Sequence, residues 1–319
     1  MQWEKLGKIF DPADFDLTDG CTSFAKSPQA VALHDHVRIY FSSQRKTSDG
    51  KWISCPQYAD FEYDLKTIRG VSRQPVITQG KQGSFDEHGI FPFHVFTHQN
   101  RMLAYTSGWS RRVSVPVDMA IGLAESFDDG ETFVRSGIGG PIMSATYLEP
   151  CMICDAFVRF YDGQYYMWYI FGSAWKKFPG QHEPDRIYKI AQATSSDGFN
   201  WRRIGQPIIS EAWDDECQAL PSVIMINGRY HMIFCFRKAY DFRYNPENSY
   251  RLGYAYSDDL VNWIRDDSLV GIERSASGWD SEMMCYPNLF SCGGSIYLLY
   301  NGNEFGKNGF GLAKLLGTT

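Results

Sequence analysis

The sequence predicts an all-β protein, a five-bladed β-propeller whose ring is closed by the N-terminal strand. Three observations predict this fold: a signature that recurs five times, two hairpin patterns within each repeat, and a last repeat that lacks its fourth strand. Successive anchors of the signature lie 64 to 66 residues apart, at Pro28, Pro92, Ala156, Pro221 and Pro287. We therefore expect a single propeller domain over residues 1–319.

Each repeat contains two hairpin patterns. An anchor opens a short apolar run, a two-residue turn follows, and a second run alternates aromatic and aliphatic residues, as at 165–169. A second pattern lies further along, with an acidic turn and an aromatic residue on the next strand, as at 196–201 and 258–263. Four strands in a unit of this length are typical of a propeller blade with long loops.

The strand that closes the ring is predicted at the N-terminus. The fifth unit runs out at 310–315, after its third strand, and residues 3–10 resemble the fourth-strand segment 201–209 of an earlier unit. We expect residues 3–10 to pair with 310–315, because this pairing protects both exposed edges of the sheet.

Composition excludes several classes of function. The net charge of −6 and a pI near 5.7 argue against bulk nucleic-acid affinity, and the absence of a signal core or of 18 consecutive apolar residues predicts a cytoplasmic protein without a membrane partner. The eight cysteines fall mostly in predicted strands, where packed thiols are expected. Cys151 and Cys154 have C-x-x-C spacing but no second pair or histidine at zinc spacing, so we predict no metal and no cofactor.

Acidic residues concentrate just before the anchors. Because innermost strands of a propeller begin at one face of the channel, we expect these side chains to converge there and to hold unequal pKa values. Asp214 and Asp280, which each follow a tryptophan, are expected instead to accept backbone N–H groups in turns between blades. The carboxylates predicted to face the channel are Glu87 with its neighbour Asp86, Asp155, Glu216 and Glu282, and His88 is expected beside Glu87.

The loops that join second to third strands reach the same face and carry the opposite charge. They hold thirteen cationic and six anionic residues, a net +7 in a chain whose total is −6. Two interpretations stay open: solvated loop charges, or a rim that selects an anionic ligand such as a phosphate or carboxylate sugar. Aromatic rings in these loops suit the C–H face of a sugar. The loop residues that we predict to bind substrate are Trp109, Arg111, Arg112, Trp175, Arg237 and Lys238.

Three acidic segments on successive blades carry a resemblance to a known family: Phe85-Asp86-Glu87, Cys154-Asp155-Ala156-Phe157-Val158 and Asp215-Glu216-Cys217. In this arrangement the chain resembles the five-bladed propeller carbohydrate enzymes of the arabinanase and β-xylosidase type and of the invertase and levansucrase type. The resemblance implies that Glu87 or Asp86 is the base or nucleophile. It also implies that Asp155 orients the substrate and tunes its neighbour, and that Glu216 is the general acid.

The sequence and the resemblance together predict a carbohydrate-active enzyme of the propeller glycosidase type. It would hydrolyse or transfer a glycosyl group of an anionic or activated sugar, with channel carboxylates as acid and base. The alternative is a non-catalytic propeller that binds a sugar or a nucleotide-sugar. A protein-interaction propeller is the third hypothesis, and such a protein needs no carboxylate cluster.

Overall fold

The computed structural model describes residues 1–318, and within this range twenty strands form five four-stranded sheets. Each sheet corresponds to one predicted repeat unit, and the predicted five-bladed β-propeller is confirmed. Thr319, the last residue of the predicted domain, lies outside the described residues. No helix among residues 1–318 is both long and apolar enough to cross a membrane.

The strands follow a regular order, and each blade runs from its innermost to its outermost strand along the chain except the fifth. In chain order the strands are β1 (Gln2–Phe10); β2 (Ser23–Ala32), β3 (Val37–Lys46), β4 (Trp52–Phe61) and β5 (Ile68–Val71) of blade 1; β6 (Ile90–His98), β7 (Arg101–Arg111), β8 (Val117–Ser126) and β9 (Val134–Arg135) of blade 2; β10 (Ile153–Tyr161), β11 (Gln164–Lys176), β12 (Asp185–Ser195) and β13 (Arg202–Arg203) of blade 3; β14 (Glu216–Ile226), β15 (Arg229–Lys238), β16 (Arg251–Ser257) and β17 (Ile264–Arg265) of blade 4; and β18 (Cys285–Cys292), β19 (Ser295–Asn301) and β20 (Phe310–Gly317) of blade 5. The short helices are 3₁₀ turns at Pro12–Asp14, Thr18–Gly20 and Asp267–Leu269 and the single turn α1 (Asn303–Gly306).

The N-terminal strand closes the ring, as predicted. β1 pairs antiparallel with β20, with Trp3 opposite Leu315 and Phe10 opposite Phe310. The Trp3 indole N–H donates to the Val270 carbonyl at 3.0 Å, which also fixes β1 against the neighbouring blade. Blade 5 is therefore built from both ends of the described chain, and β1 covers the edge that β20 would otherwise expose.

Removing residues 2–10 is expected to prevent formation of a stable ring. β20 would become an unpaired edge strand, and the buried Trp3 and Phe10 would be lost from the core. The truncated protein should unfold at least about 10 °C below the full chain or aggregate, as measured by thermal unfolding and size-exclusion chromatography. Lys8→Met, which removes only a half-exposed ion pair with Asp11, serves as the control. A truncated protein as stable and monodisperse as this control would contradict the closure.

Each innermost strand has a bulge at its anchor. In β10, for example, Cys154 pairs with Ile170 and Phe157 with Trp168, so two residues of the inner strand oppose one of its partner. The other four innermost strands shift register at the same place relative to their anchors. Proline lacks a backbone N–H and fits a bulge better than a regular ladder, which explains why four of the five anchors are proline. The bulge changes the direction in which the side chain of the residue before each anchor points.

A polar network joins the innermost strands below the bulges. His94 contacts the Gln29 side chain at 2.9 Å through Nδ1, and its Nε2 accepts the Val158 N–H at 3.0 Å. The Asn288 amide donates to the same Gln29 oxygen at 3.1 Å. Burial, followed by the nearby Arg159, lowers the pKa of His94 to about 3, so this ring is neutral. The channel is thus packed and hydrogen-bonded at this level, and the open space lies above it.

Candidate functional site

A pocket of about 200 Å³ opens at the mouth of the channel, on the face where the innermost strands begin. Among the described residues that line this pocket, six are aromatic, four are cationic and none is acidic. Flat rings and cations together suit a ligand that has both an apolar face and a negative group. The aromatic residues are Phe91, Trp109, Phe242, Tyr250, Tyr286 and Phe305, and the cationic residues are Lys26, Arg186, Arg237 and Arg243. We call this the channel pocket.

Arg237 is the most deeply placed cation of the channel pocket. Its guanidinium is fully buried, donates to the Tyr188 hydroxyl at 3.1 Å and to the Lys238 carbonyl at 2.9 Å, and stacks on the Phe242 ring at 3.5 Å. Its Nη2 has no hydrogen-bond partner among residues 1–318, although the Asp185 carboxylate lies 3.5 Å away. A buried donor without an acceptor is costly. An anion in the pocket would satisfy it.

Lys26 lies on the opposite side of the pocket, on β2. Its ammonium group is 4.2 Å from the centre of the Phe24 ring, and no carboxylate of the described chain forms an ion pair with it. Burial, followed by repulsion from Arg243 and Arg186, lowers the pKa of Lys26 to about 8. The pocket lining therefore concentrates positive charge that Asp185 compensates only in part, which favours a negatively charged ligand.

Asp155 is the predicted carboxylate that lies next to the channel pocket. It occupies the bulge of β10 with φ 59° and is 6% exposed. Its Oδ2 accepts the Leu220 N–H at 3.2 Å, and its own N–H donates to the Ser107 hydroxyl at 2.9 Å. Asp155 interacts electrostatically with two pocket-lining residues, Arg186 and Tyr286.

Burial raises the pKa of Asp155 to about 7, against the opposing effects of the Leu220 hydrogen bond and of Arg186. Near neutral pH this carboxyl is therefore present in both protonation states. A group with these properties beside a pocket is suited to donating or accepting a proton.

Two other predicted catalytic residues, Asp86 and Glu216, are in a different environment. In four of the five blades a buried acid before or at the start of the innermost strand forms an ion pair with a cation on the outermost strand of the same blade. Each cation stands opposite an alanine of the third strand, so the arrangement repeats in register. The pairs, which we call blade clasps, are Asp86–Arg135 at 2.6 Å, Glu149–Arg203 at 2.6 Å, Glu216–Arg265 at 2.7 Å and Asp280–Lys5 at 2.7 Å.

The clasps explain why these acids do not reach the channel pocket. Glu216 is fully buried, with one carboxylate oxygen bonded to Arg265 and Gln218 and the other to the Ala212 N–H. These contacts turn its side chain into its own blade. Glu216 stands before the bulge of β14, whereas Asp155 lies within the bulge of β10. Asp280 has a structural role, as expected, but its carboxylate accepts from the Lys5 ammonium and the Tyr300 hydroxyl and not from the backbone N–H groups that the sequence analysis predicted.

Four predicted site residues meet at one edge of the pocket mouth. Glu87 is 23% exposed, and one of its carboxylate oxygens lies 3.3 Å from the His88 ring, which in turn packs at 5.6 Å from the Trp109 ring. The Arg111 guanidinium lies 5.4 Å from the centre of the Trp109 ring and donates to the Trp52 carbonyl. Trp109 lines the channel pocket, so this group extends the site outward.

Four other predicted site residues lie away from the channel pocket. Arg112 forms an ion pair with Asp118 on an exposed loop, and Trp175 packs partly buried against the core. The Lys238 ammonium lies 5.6 Å from the Trp213 ring. Glu282 is exposed. The structure does not bring these residues together with Asp155 and Arg237.

Several residues of the channel pocket were not singled out as site residues by the sequence analysis. Lys26 stands two positions before its anchor, so the anchor register could have found it. Arg186 and Arg243 belong to the basic loops predicted from sequence, where nothing distinguished them from solvated charges; in the structure Arg186 lies at the start of β12. Tyr286 occupies the same position before its anchor as Asp155 does, and its aromatic side chain gave no chemical signal. Among residues 1–318 no group of three or more His, Cys, Asp or Glu side chains is arranged to hold a metal ion.

Comparisons with known proteins find full-length relatives of the chain in Mycobacterium tuberculosis. No protein-family model matches it. It is 31% identical over 324 residues to the uncharacterized protein Rv1502 of Mycobacterium tuberculosis (strain ATCC 25618 / H37Rv), and the match covers 99% of both chains. Over 81 residues it is 30% identical to the 1,2-beta-oligomannan phosphorylase of Thermoanaerobacter sp. (strain X514), which covers 25% of this chain and 26% of that protein.

Solved structures resemble the chain in fold. A glycoside hydrolase structure superposes with a TM-score of 0.73 at 16% identity and covers 99% of this chain and 92% of its own. The beta-1,2-mannobiose phosphorylase from Listeria innocua, solved with beta-1,2-mannobiose, superposes with a TM-score of 0.68 at 12% identity over 98% of this chain and 96% of its own. At these identities the likeness establishes the propeller fold alone.

Proposed function

The chain belongs to the same protein family as Rv1502 of Mycobacterium tuberculosis, and from the geometry of its channel pocket we propose that it is a carbohydrate-active enzyme that hydrolyses or transfers a glycosyl group. The observation that carries this proposal is the unpartnered Nη2 of buried Arg237, in a pocket of four cations and six aromatic rings with Asp155 beside it. The propeller fold shared with a glycoside hydrolase and a sugar phosphorylase supports the choice of a sugar as ligand.

Asp155 has the role of general acid in this proposal. Its proton passes to the glycosidic oxygen as the bond from that oxygen to the anomeric carbon breaks, and the oxygen of an acceptor forms the new bond to that carbon. Burial keeps the carboxyl protonated up to neutral pH, which an acid needs. The role differs from the orienting role implied by the family resemblance, because the resemblance assigned the acid to Glu216 and that residue is held in a blade clasp.

The cations hold the negative group of the substrate or of the acceptor. If the acceptor is water, Glu87 at the pocket mouth is the remaining candidate for the base. If the acceptor is inorganic phosphate, the pocket cations position a nucleophile that needs no base, and the product is a sugar 1-phosphate. The similarity to two proteins named as phosphorylases favours testing this second acceptor directly.

The size of the channel pocket limits the ligand. Its volume of about 200 Å³ is below the roughly 300–1,000 Å³ of sites that enclose a complete drug-sized molecule. One sugar ring with its anionic group fits this space better than a complete nucleotide-sugar. We therefore place a single glycosyl unit and one phosphate or carboxylate in the pocket, with any further units outside its mouth.

The test is a turnover assay on neutral and phosphorylated oligosaccharides, each with and without inorganic phosphate. Released sugar and sugar 1-phosphate are separated by chromatography and identified by NMR. Turnover that depends on Asp155 would support the proposal. Binding of a sugar without turnover would instead favour the non-catalytic binding propeller, and no binding of any sugar, sugar phosphate or phosphate would overturn the proposal.

Arg243→Met is expected to weaken the binding of inorganic phosphate or a sugar phosphate by about tenfold or more. Arg243 lines the channel pocket and forms no ion pair with a described carboxylate, so the main loss is one charge-assisted contact of roughly 1.5–3 kcal/mol. Calorimetric titration with a sugar and its phosphate, at low and at moderate salt, measures the effect. Arg112→Met, on an exposed loop away from the pocket, is the control. Equal affinities for the sugar and its phosphate, with no dependence on salt, would instead support the interpretation that the charges of the basic loops are only solvated.

A further inference from the structure

Blade 1 is the one blade of the described chain without a blade clasp. The position opposite Ala59, which holds an arginine or lysine in the other blades, is Val71. The acid is missing too: Cys21 stands seven residues before its anchor Pro28, the offset at which Glu149 and Asp280 precede theirs. A thiol therefore replaces a carboxylate at this step of the repeat.

The partner of Cys21 is a second thiol. The thiols of Cys21, in the segment before β2, and Cys55, on β4, lie within reach of each other. The Gln57 side-chain amide, two residues from Cys55 and on the same face of β4, donates to the Cys21 sulfur at 3.9 Å. Neutral groups complete this part of blade 1: the Thr18 and Ser72 hydroxyls donate to the side-chain oxygen Oε1 of Gln57 at 2.7 and 2.8 Å. Blade 1 thus has a dithiol and a neutral hydrogen-bond network where the other blades have a clasp.

Cys55 differs electrostatically from the other cysteines. The hydrogen bond from Cys21 lowers the pKa of Cys55, with a further contribution from Arg45, against the opposing effects of burial and of Asp19. The same hydrogen bond and burial raise the pKa of Cys21. Burial raises the pKa of the six remaining thiols of the chain. Because the thiolate is the nucleophilic form and Cys55 also lines a pocket, we expect Cys55 to be the thiol that reacts first.

A small oxidant can reach this pair. Cys55 lines a second pocket of about 170 Å³, which also contains Arg45 and Asp19 and meets the channel pocket at Ser54. Cys55 is among the residues that line this pocket and Cys21 is not, so the Cys55 thiol is the one that a small oxidant meets first. This order, an attacking thiolate in front of a resolving thiol, is typical of redox-sensitive cysteines.

We propose that Cys21 and Cys55 form a redox-sensitive dithiol, which a peroxide oxidises to a disulfide within blade 1. The Cys55 thiolate attacks one oxygen of hydrogen peroxide, the O–O bond breaks, and the departing hydroxide takes up a proton to become water. The Cys21 sulfur then loses its proton and attacks the Cys55 sulfenic sulfur, and a second water leaves. In total two thiols and one peroxide give one disulfide and two waters, and a thiol reductant reverses the change.

The disulfide starts from the same segment as a clasp but fastens it to the third strand of the blade instead of the fourth. It ties the segment before β2 to β4 and closes a loop from residue 21 to residue 55. Lys26 follows Cys21 in the chain and lies on β2, Ser54 directly precedes Cys55 on β4, and both line the channel pocket. Oxidation therefore restrains one wall of the candidate active site, although the dithiol itself does not depend on the proposed function.

The experiment titrates reduced full-length protein with hydrogen peroxide, then blocks the remaining thiols with an alkylating reagent and maps the peptides by mass spectrometry. We expect loss of two of the eight thiols, a linked peptide that contains Cys21 and Cys55, and a melting temperature about 5 °C higher than that of the reduced protein. Cys151→Ser, which removes a half-buried thiol elsewhere, should behave like wild type.

Two variants separate the steps of the oxidation. Cys21→Ser should stop at a sulfenic acid on Cys55, which dimedone labels, and Cys55→Ser should lose no thiol pair under the same conditions. The proposal is overturned if oxidised wild type lacks the linked peptide, or if Cys55→Ser loses two thiols as fast as wild type. Peptide mapping of the wild-type protein alone decides the question if either variant fails to fold.

Discussion

Asp155→Asn is expected to lower kcat by a factor of about 10²–10⁴ and leave the fold intact. The amide has nearly the same shape and its oxygen can still accept the Leu220 N–H, but it has no proton to give to the leaving oxygen. The effect should fall mainly on kcat, since the cations that hold the ligand are unchanged. Glu282→Gln, at an exposed position away from the channel pocket, is the control and should retain full activity. Full activity in Asp155→Asn would remove this residue from the mechanism.

The raised pKa of Asp155 also gives the wild-type enzyme a defined pH dependence. An acid works only when it is protonated, so activity should fall as pH rises through about 7. Stability should follow the same direction: between about pH 4 and pH 7 the folded protein keeps a proton that the unfolded chain releases. The stabilisation is complete below about pH 4 and is lost as pH rises through the folded pKa.

Asp155→Asn removes this linkage. At pH 8 the variant should therefore be more stable than wild type, by up to about 4 kcal/mol, while at pH 4 the two should be similar. Urea unfolding at the two pH values measures the difference. A variant that is inactive because its fold is damaged would instead be less stable than wild type at pH 8. The sign of this stability difference therefore separates a loss of catalysis from a loss of structure.

Glu216→Ala is expected to lower the free energy of unfolding by about 3–5 kcal/mol. The change breaks a blade clasp and leaves the buried Arg265 with only Asp267 as its ion-pair partner. Replacing both clasp residues by apolar ones, Glu216→Leu with Arg265→Met, should recover most of this loss because no buried charge is left uncompensated. Urea unfolding measures both, with Glu282→Ala, expected within about 0.5 kcal/mol of wild type, as the control.

The same variant tests the role that the family resemblance implies for Glu216. A clasp residue acts on stability, and its loss should reduce activity only as far as the fold is lost. If Glu216→Ala keeps wild-type stability but loses turnover, Glu216 is the acid after all and the clasp is secondary. The double variant sharpens this test, since it restores the fold without restoring a carboxyl group.

The propeller could be predicted because the same backbone feature, a bulge at the anchor, recurs in every repeat. Four of the bulges have a proline anchor, and the bulge has the same place in every blade. The anchors therefore recur at a nearly constant interval even though the loops differ in length. Ring closure was predictable for a similar reason: the fifth unit lacked one strand and the N-terminus supplied a matching segment.

The site was only partly predictable, because a bulge changes which way neighbouring side chains point. Asp155, directly before its anchor, is turned toward the axis, whereas Glu216, five residues before its anchor, remains within its blade. The clasp partner Arg265 lies 49 residues further along the chain, beyond any local pattern, although Arg135 follows Asp86 by the same interval. Arg237 could be predicted as a ligand-binding cation, but its unpartnered nitrogen is a property of packing.

The N-terminal closing strand has a consequence for how the protein is made. Among the described strands β1 is synthesised first and its partner β20 last. At about 5–20 residues per second, β1 waits for tens of seconds before it can pair. During this time Trp3 and Phe10 have no sheet to enter, and the walls supplied by blade 1 and blade 5 cannot face each other. The channel pocket, which needs Lys26 from one and Tyr286 from the other, therefore cannot exist on a nascent chain and forms only when the ring is complete.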